Sequence, residues 1–395
     1  MSITLEELKH LFQKSEKVQT IVSNVQTLEA PKIALSNLRG SGESFIASAL
    51  VEELKGVHLF IVNDKEQAAY LYNDFQSILG EQNVLFFPSS YRFPYQEEKV
   101  DNSNILLRAE TLENLSRRKT KTLVITYPEA ITEKVVTKKH LKKNTLEIKK
   151  GDLLDLGFII DLLVELEFER TDFVYQPGQF SIRGGIVDIF SFANEYPYRV
   201  ELFGDEVESI RSFDPASQLS IKPMGRVNIL PNVQASMLKE HRESFIEFLT
   251  PATTIWAQDL DFTIAKVVQE FIHASEAYQK LSSTINHLSP EELYVSGIRL
   301  KELLLLHPVF DTSGKNQLKS EYNYTFNHQL QPSFNKNFDI LSTNLADNEK
   351  AGFKTVIVAN SPKQIDRIHR VFDDINAELD FTTLQLNIHS GFIDK

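Results

Sequence analysis

Between residues 32 and 126, short apolar runs alternate with longer amphipathic ones, and this rhythm constrains the fold more than any other feature of the chain. Lys32–Ser36 reads as a strand, followed by a Gly/Ser turn and a helix over 43–54. His58–Val62 reads as a second strand before a helix over 65–79, and Val84–Phe87 as a third, ending at Pro88. A helix over 102–116 then leads to a strand at Thr122–Thr126. Such alternation predicts a parallel sheet covered by helices, because parallel neighbours need a crossover to bring the chain back. Residues 4–29 add helical spacing ahead of it.

After residue 144 the rhythm breaks. Leu146–Ile148 reads as a strand and Leu153–Leu166 as a helix. Strands then follow with no helix between them, at 179–190, 198–203 and 206–213, with Gly204-Asp205 as a two-residue hairpin turn. This predicts a small mixed α+β unit inserted into the first or following it. Helix–strand alternation returns over 240–330, with a long helical pattern at Asp259–Leu281. The polar stretch 314–350 reads as a linker. Lys354–Ala359 then forms a strand and 362–375 a helix. One strand and one helix are too little for a domain, so the C-terminal part is expected to be an incomplete further α/β domain.

At 395 residues, and roughly 100–200 residues per domain, the chain has room for two to four domains. The absence of cysteine excludes disulfides, thiolate zinc sites and a cysteine nucleophile. The acidic, helix-like start resembles no secretory signal, and no apolar run approaches a bilayer's thickness. The chain is therefore expected to be cytoplasmic. The net charge of −12 disfavours nonspecific nucleic-acid binding. Residues 117–150 run against it, with eleven Lys/Arg and three Glu, and form a candidate contact surface or a solvated face.

The first strand–helix turn is where a phosphate loop would lie. It reads Asn37-Leu38-Arg39-Gly40-Ser41-Gly42-Glu43-Ser44. Gly42 and Ser44 match the G-x-x-x-x-G-K-[ST] pattern. Asn37 stands where the first glycine belongs and Glu43 where the lysine belongs. A carboxylate there would repel the phosphates that the lysine attracts. Gly40, Gly42, Glu43 and Ser44 thus make a degenerate phosphate loop with the right context and the wrong chemistry. No acidic partner motif follows Leu123–Thr126, no metal-ligand spacing occurs among the histidines, and no catalytic set or cofactor is expected.

In the hairpin, Tyr198, Val200 and Leu202 share one face, and Arg199, Glu201 and Phe203 the other. With Gly204-Asp205 as the turn, Phe203 is expected opposite Glu206, and Glu201 opposite Glu208. An aromatic beside an arginine on a wet face is a combination that anchors protein contacts. Arg183, before Gly184-Gly185, joins them, and the bare glycine backbone permits close approach there. The plainer alternative pairs Arg199 with Glu201 or Glu208 and lets Phe203 cover the sheet.

Phe180–Phe190 (FSIRGGIVDIF), Pro197–Asp214 (PYRVELFGDEVESIRSFD) and Ser217-Gln218 together resemble the UvrB-like region of the bacterial transcription-repair coupling factors, as do Phe87–Glu97 and Arg108–Leu115. The similarity covers about residues 25–345. UvrB itself is an ATPase with the loop lysine intact and a long DNA-clamping hairpin after its third strand. Glu43, and the short stretch from Pro88 to the helix near residue 102, favour the coupling factors instead.

The resemblance implies a RecA-like parallel-sheet domain split into 1–144 and 231–345, with a small α+β domain inserted at 145–230 and a further α/β domain beginning in 346–395. It implies a non-catalytic module that recruits UvrA to stalled RNA polymerase for nucleotide excision repair. UvrA would be contacted by Arg183, Arg199 and Phe203. RNA polymerase and DNA are partners of the complete family protein, and its C-terminal domains could contact the same surface from within. Two readings compete: an ATP-dependent UvrB-type enzyme, and a DNA-binding module using Lys138, Lys139, Lys142 and Lys143. On this reading Arg199→Glu is expected to weaken UvrA binding by at least ~2 kcal/mol and to leave the melt nearly unchanged.

Overall fold

In the computed structural model, residues 3–90, 95, 102–117, 121–230, 242–281, 287–315, 317–375 and 379–395 are described. Most of the stretch 91–97, Arg118 and Lys119 of the basic segment, and residues 231–241 just past the expected boundary at 230 lie outside them.

The strand–helix rhythm forms one parallel sheet of seven strands. Its order is Tyr322–Thr325, Lys32–Ser36, Val309–Asp311, Thr254–Ala257, Val57–Ile61, Thr122–Thr126 and Val84–Phe86. Val57–Ile61, Thr122–Thr126 and Thr254–Ala257 are buried along their whole length, as continuous runs in a sheet covered on both faces must be. Helix starts are set locally. Asp64 accepts from the Gln67 N–H, Asp259 from Phe262, and Thr4 and Glu7 form a reciprocal capping box. The core is aromatic at its centre. Trp256 stands beside Phe60 and Phe310 on adjacent strands, with ring centroids 4.5 and 4.3 Å away. Arg108 is buried, donates to the carbonyls of Pro88 and Ala130 and faces Glu133 at 3.4 Å, so it holds this unit together.

The chain leaves this sheet after Thr126 and returns to it at Thr254. Between them lies a second, mixed sheet in the order Ser220–Met224, Glu206–Phe213, Tyr198–Phe203, Ile186–Ile189, Gln179–Arg183 and Glu169–Arg170. Only its last pair is parallel. Helix Leu156–Glu165 covers one face, and Ile159, Leu163, Phe180, Val187, Val200 and Ile210 form the core beneath it. Leu146–Lys149 and Arg226–Ile229 pair antiparallel where the chain enters and leaves this unit. Asn228 there donates to Glu113 of the first unit at 3.0 Å. This is a RecA-like α/β sheet with a smaller α+β unit inserted.

Three sequence readings need correction. The run 179–190 is two strands, because Gly184 takes φ +62° and turns the chain back on itself. The stretch 314–350 is not a linker. Tyr322 and Tyr324 place an edge strand on the large sheet, His328–Leu330 is a further strand, and Asn337 caps a helix at Phe338–Lys350. The C-terminal unit also holds more than one strand and one helix: Phe381–Gln385 lies parallel beside Thr355–Ala359, completing a strand–helix–strand unit around Pro362–Asp374.

Candidate functional site

The outer face of the mixed sheet carries the hairpin residues. Asp188 lies in a strand that is otherwise apolar, Ile186–Ile189, and is paired across the sheet with Ser181 on one side and Arg199 on the other. It is 1% exposed. Arg199 donates to it twice, Nε to Oδ1 at 2.7 Å and Nη2 to Oδ2 at 2.8 Å, and once more to Gln218 at 3.0 Å. The Arg199 guanidinium also lies over the buried ring of Phe213, 4.3 Å from its centre. Arg183 reaches the same Asp188 oxygen at 2.5 Å and stacks on Phe173 at 4.5 Å. One buried carboxylate therefore orients both arginines, Arg199 in the fork geometry that makes such pairs strong and Arg183 through a single bond.

Arg199 thus pairs neither with Glu201 nor with Glu208. Glu201 pairs instead with Arg211, whose hydrogen bond holds the Glu201 carboxyl down to about 2. A bulge between Glu201 and Leu202 sets Glu201 opposite Ser209 rather than Glu208, while Phe203 does lie opposite Glu206. Arg199 is mostly buried and holds a buried charge, so the expectation that Arg199→Glu leaves the melt unchanged does not survive its position.

Phe203 is the exposed member, at 81%. Leu153, also exposed, bridges to Glu206 on the other side. Leu153, Glu206 and Phe203 therefore form one row and share a face. The turn below them is fixed by Leu154 N–H donating to Asp205 O and Val207 N–H to Asp152 O. Gly185 lies so close to the next strand that a Cβ would come 2.8 Å from the Leu202 carbonyl oxygen. An open cleft of about 580 Å³ beside Arg183 is lined by Arg170, Asp172, Phe173 and Ser181 among others. Sequence reasoning missed Asp188 and Leu153. The signal for Asp188 was a lone acid inside an apolar run; Leu153 gave none.

The degenerate phosphate loop lies elsewhere, at the end of Lys32–Ser36. Glu43 is partly buried. Its burial raises the carboxyl's pKa, against the opposing pull of a Thr312 hydrogen bond and nearby His389. Ser44 donates to buried Asp74 at 2.8 Å. The sequence reading sought an acidic partner after Thr122–Thr126, but the loop's strand lies between Tyr322–Thr325 and Val309–Asp311. Asp311, at the end of that strand, accepts from the backbone N–H groups of Ser313 and Gln317.

The basic segment is engaged in part, while Lys139, Lys142 and Lys143 are exposed. Lys121 pairs with Glu52, Arg117 with Glu113, Lys134 donates to the Glu291 carbonyl, and Lys138 stands over Phe248. Among the described residues, no cluster of three acidic or histidine side chains could hold a metal ion, and no helix is long and apolar enough to cross a membrane.

Residues 146–234 match the UvrB interaction domain family. The chain is 27% identical over 278 residues to a transcription-repair-coupling factor of Bacillus subtilis, covering 70% of this chain and 23% of that protein. It is 25% identical over 263 residues to UvrABC system protein B of Methanococcus maripaludis, covering 63% of this chain and 41% of that protein. It is 24% identical over 243 residues to the Streptococcus suis protein of the same name, covering 58% and 37%. The chain thus spans less than half the length of each of these relatives. The chain's mixed sheet thus matches the UvrB interaction domain family, and 70% of the chain is similar to part of a transcription-repair-coupling factor.

Proposed function

We propose that this chain is the UvrB-like part of a transcription-repair coupling factor and that it recruits UvrA for nucleotide excision repair at stalled RNA polymerase, with no catalysis of its own. On this reading the chain divides into 1–144 and 231–345, with 145–230 inserted, and 346–395 opens a further α/β domain. The family's polymerase-binding and DNA-translocating parts belong to the rest of the longer protein. Arg183, Arg199 and Phe203 make the UvrA contact.

The observation that carries the reading is the outer face of the mixed sheet. Asp188 fixes two arginines in place, so little side-chain entropy is left to lose on binding. Phe203 and Leu153 project beside them with apolar surface available for burial. Arg183 keeps about a third of its side chain exposed and borders the cleft, where an acidic or aromatic partner side chain fits. A rigid arginine pair beside an exposed aromatic has the makeup of a binding hot spot. The reading without catalysis is supported by Glu43 at the lysine position of the loop. The DNA-binding reading is disfavoured by the net charge of −12 and by Lys121 and Arg117 pairing within the chain; it would rest on Lys139, Lys142 and Lys143, which are exposed.

Calorimetric titration of the 395-residue chain with UvrA tests this, with Phe203→Ala and Arg183→Glu alongside. The parent should bind, and Phe203→Ala should lose about 2 kcal/mol, the scale of a hot-spot residue. A parent that does not bind UvrA sinks the reading. A parent that binds with both variants unimpaired moves the contact to another face.

A further inference from the structure

Loops of the phosphate-binding kind keep their backbone N–H groups free and use glycines to leave space for phosphate oxygens. In this chain those features face another part of the same chain. Ser41 N–H donates to the Ser390 carbonyl at 3.1 Å, and Ser390 N–H donates to Ser41 Oγ at 3.2 Å. Gly40 takes φ +53°, and a Cβ there would lie 2.6 Å from the Gly391 carbonyl oxygen. A Cβ on Gly42 would collide with His328 and Phe392. Gly42, the one glycine of the pattern present, and Gly40 beside it are therefore used to admit residues 390–392 and His328.

The seat extends to either side. The His389 N–H donates to Asp74 Oδ1 at 2.8 Å, and its ring Nδ1 lies 2.8 Å from Asp74 Oδ2. The same buried carboxylate accepts from Ser44 of the loop helix, so one acid ties the loop to the incoming segment. The His389 ring stacks on Tyr70. Phe392 packs against the stacked pair Phe12 and Phe45, at 6.1 and 5.9 Å. Beyond the loop, Phe392–Asp394 pairs antiparallel with His328–Leu330. Leu384 and Leu386, from the C-terminal unit, are buried with Phe45 and Ile78 of the first unit.

We infer that the phosphate loop has become a socket for the chain's own residues 389–392, which latch the C-terminal α/β unit onto the seven-stranded sheet and exclude a nucleotide while seated. A peptide carbonyl takes the place of a phosphate oxygen at the Ser41 N–H. Glu43, which would repel a phosphate, is instead hydrogen-bonded to Thr312 and attracted by the imidazole of His389.

Hydrogen exchange read by mass spectrometry on the whole chain tests the latch, and urea unfolding followed by the fluorescence of the single tryptophan, Trp256, reports the sheet unit separately. In the parent, peptides covering 38–44 and 388–394 should be protected together. In His389→Ala/Phe392→Ala both should exchange at least about tenfold faster, as a locally opened segment does, with the Trp256 transition in place. If the double variant loses that transition, His389→Ala alone repeats the test, since its ring is partly exposed. Unprotected 388–394 in the parent, or unchanged protection in a folded variant, overturns the latch. Adding Mg·ATP to the parent should change neither peptide. Protection of 38–44 by Mg·ATP with release of 388–394 would overturn the exclusion and make the segment a displaceable lid.

Discussion

Arg199 meets Asp188 through two parallel hydrogen bonds of 2.7 and 2.8 Å, across adjacent strands whose register sets the two residues directly opposite. The carboxylate is buried and the guanidinium nearly so. Removing the arginine takes two hydrogen bonds from a buried charge and leaves it only the partly exposed Arg183. Arg199→Ala should cost about 3–5 kcal/mol of unfolding free energy, the range for breaking a buried pair. Arg183→Ala leaves Arg199 on the carboxylate and should cost about 1 kcal/mol or less, as partly exposed pairs do. Chemical denaturation of the two variants checks the order; equal losses would mean that Asp188 is not the organiser of the pair.

Phe203 offers the cleaner probe of binding. Its ring is exposed and lies next to a turn held by backbone hydrogen bonds that the side chain does not make. Phe203→Ala should move stability by no more than about 0.5 kcal/mol, as exposed substitutions do. Leu153→Ala, in the same row, should behave likewise. Thermal melts of both variants check this, and a drop of several degrees in either would assign that side chain to the core instead.

His58 sets an acid limit on the large sheet. Trp256 Nε1–H donates to its Nδ1 at 3.2 Å, and its Nε2 faces the Lys55 carbonyl at 2.9 Å. Both contacts are satisfied by a neutral ring with its proton on Nε2. Burial pushes its pKa down to about 4 from the ordinary 6.5. A depressed folded value means that this contribution to stability is complete above pH 6.5 and is lost as pH falls through about 4. His58→Phe should flatten that part of the acid dependence. It should also cost about 1–3 kcal/mol at pH 7, because the buried indole N–H loses its acceptor. Urea transitions of Trp256 fluorescence at pH 7, 5.5 and 4 compare the two slopes; parallel slopes would clear His58.

Gly185 is required by the approach of the neighbouring backbone. A methyl group there meets the Leu202 carbonyl oxygen, which a strand in the middle of a sheet cannot easily move. Gly185→Ala should destabilise by about 1–3 kcal/mol, as overpacking does, whereas Gly204→Ala, with open space around its Cβ position, should show only the cost of its positive φ of +64°. Denaturant midpoints of the two variants separate contact from conformation.

Much of this was legible in the chain, for local reasons. The strands from Lys32 to Thr126 stand out because each is a short apolar run and caps such as Asp64 mark where helices begin. The hairpin at Gly204-Asp205 was legible from its turn and its alternation. What escaped depends on contacts far apart in sequence or on register. Asp188 matters only once Ile186–Ile189 is set beside Arg199. One neighbour of the phosphate loop's strand begins at Val309, which no local pattern links to Lys32–Ser36. Ser220–Met224, exposed and carrying Pro223, reads as loop until Glu206–Phe213 gives it a partner. Tyr322–Thr325 looked like part of a linker because an edge strand needs little apolar character.

The paired strands Leu146–Lys149 and Arg226–Ile229 give the inserted unit two attachments to its host instead of one. A module on a single linker swivels freely, and its orientation is lost to whatever it is tied to. A two-legged mount with its legs hydrogen-bonded together and pinned at Asn228 resists twisting, so a load taken up at Phe203 is passed to the large sheet as shear along both legs at once. That makes the mixed sheet a bracket on the large one, with its outer face set at a fixed angle to the strands behind it.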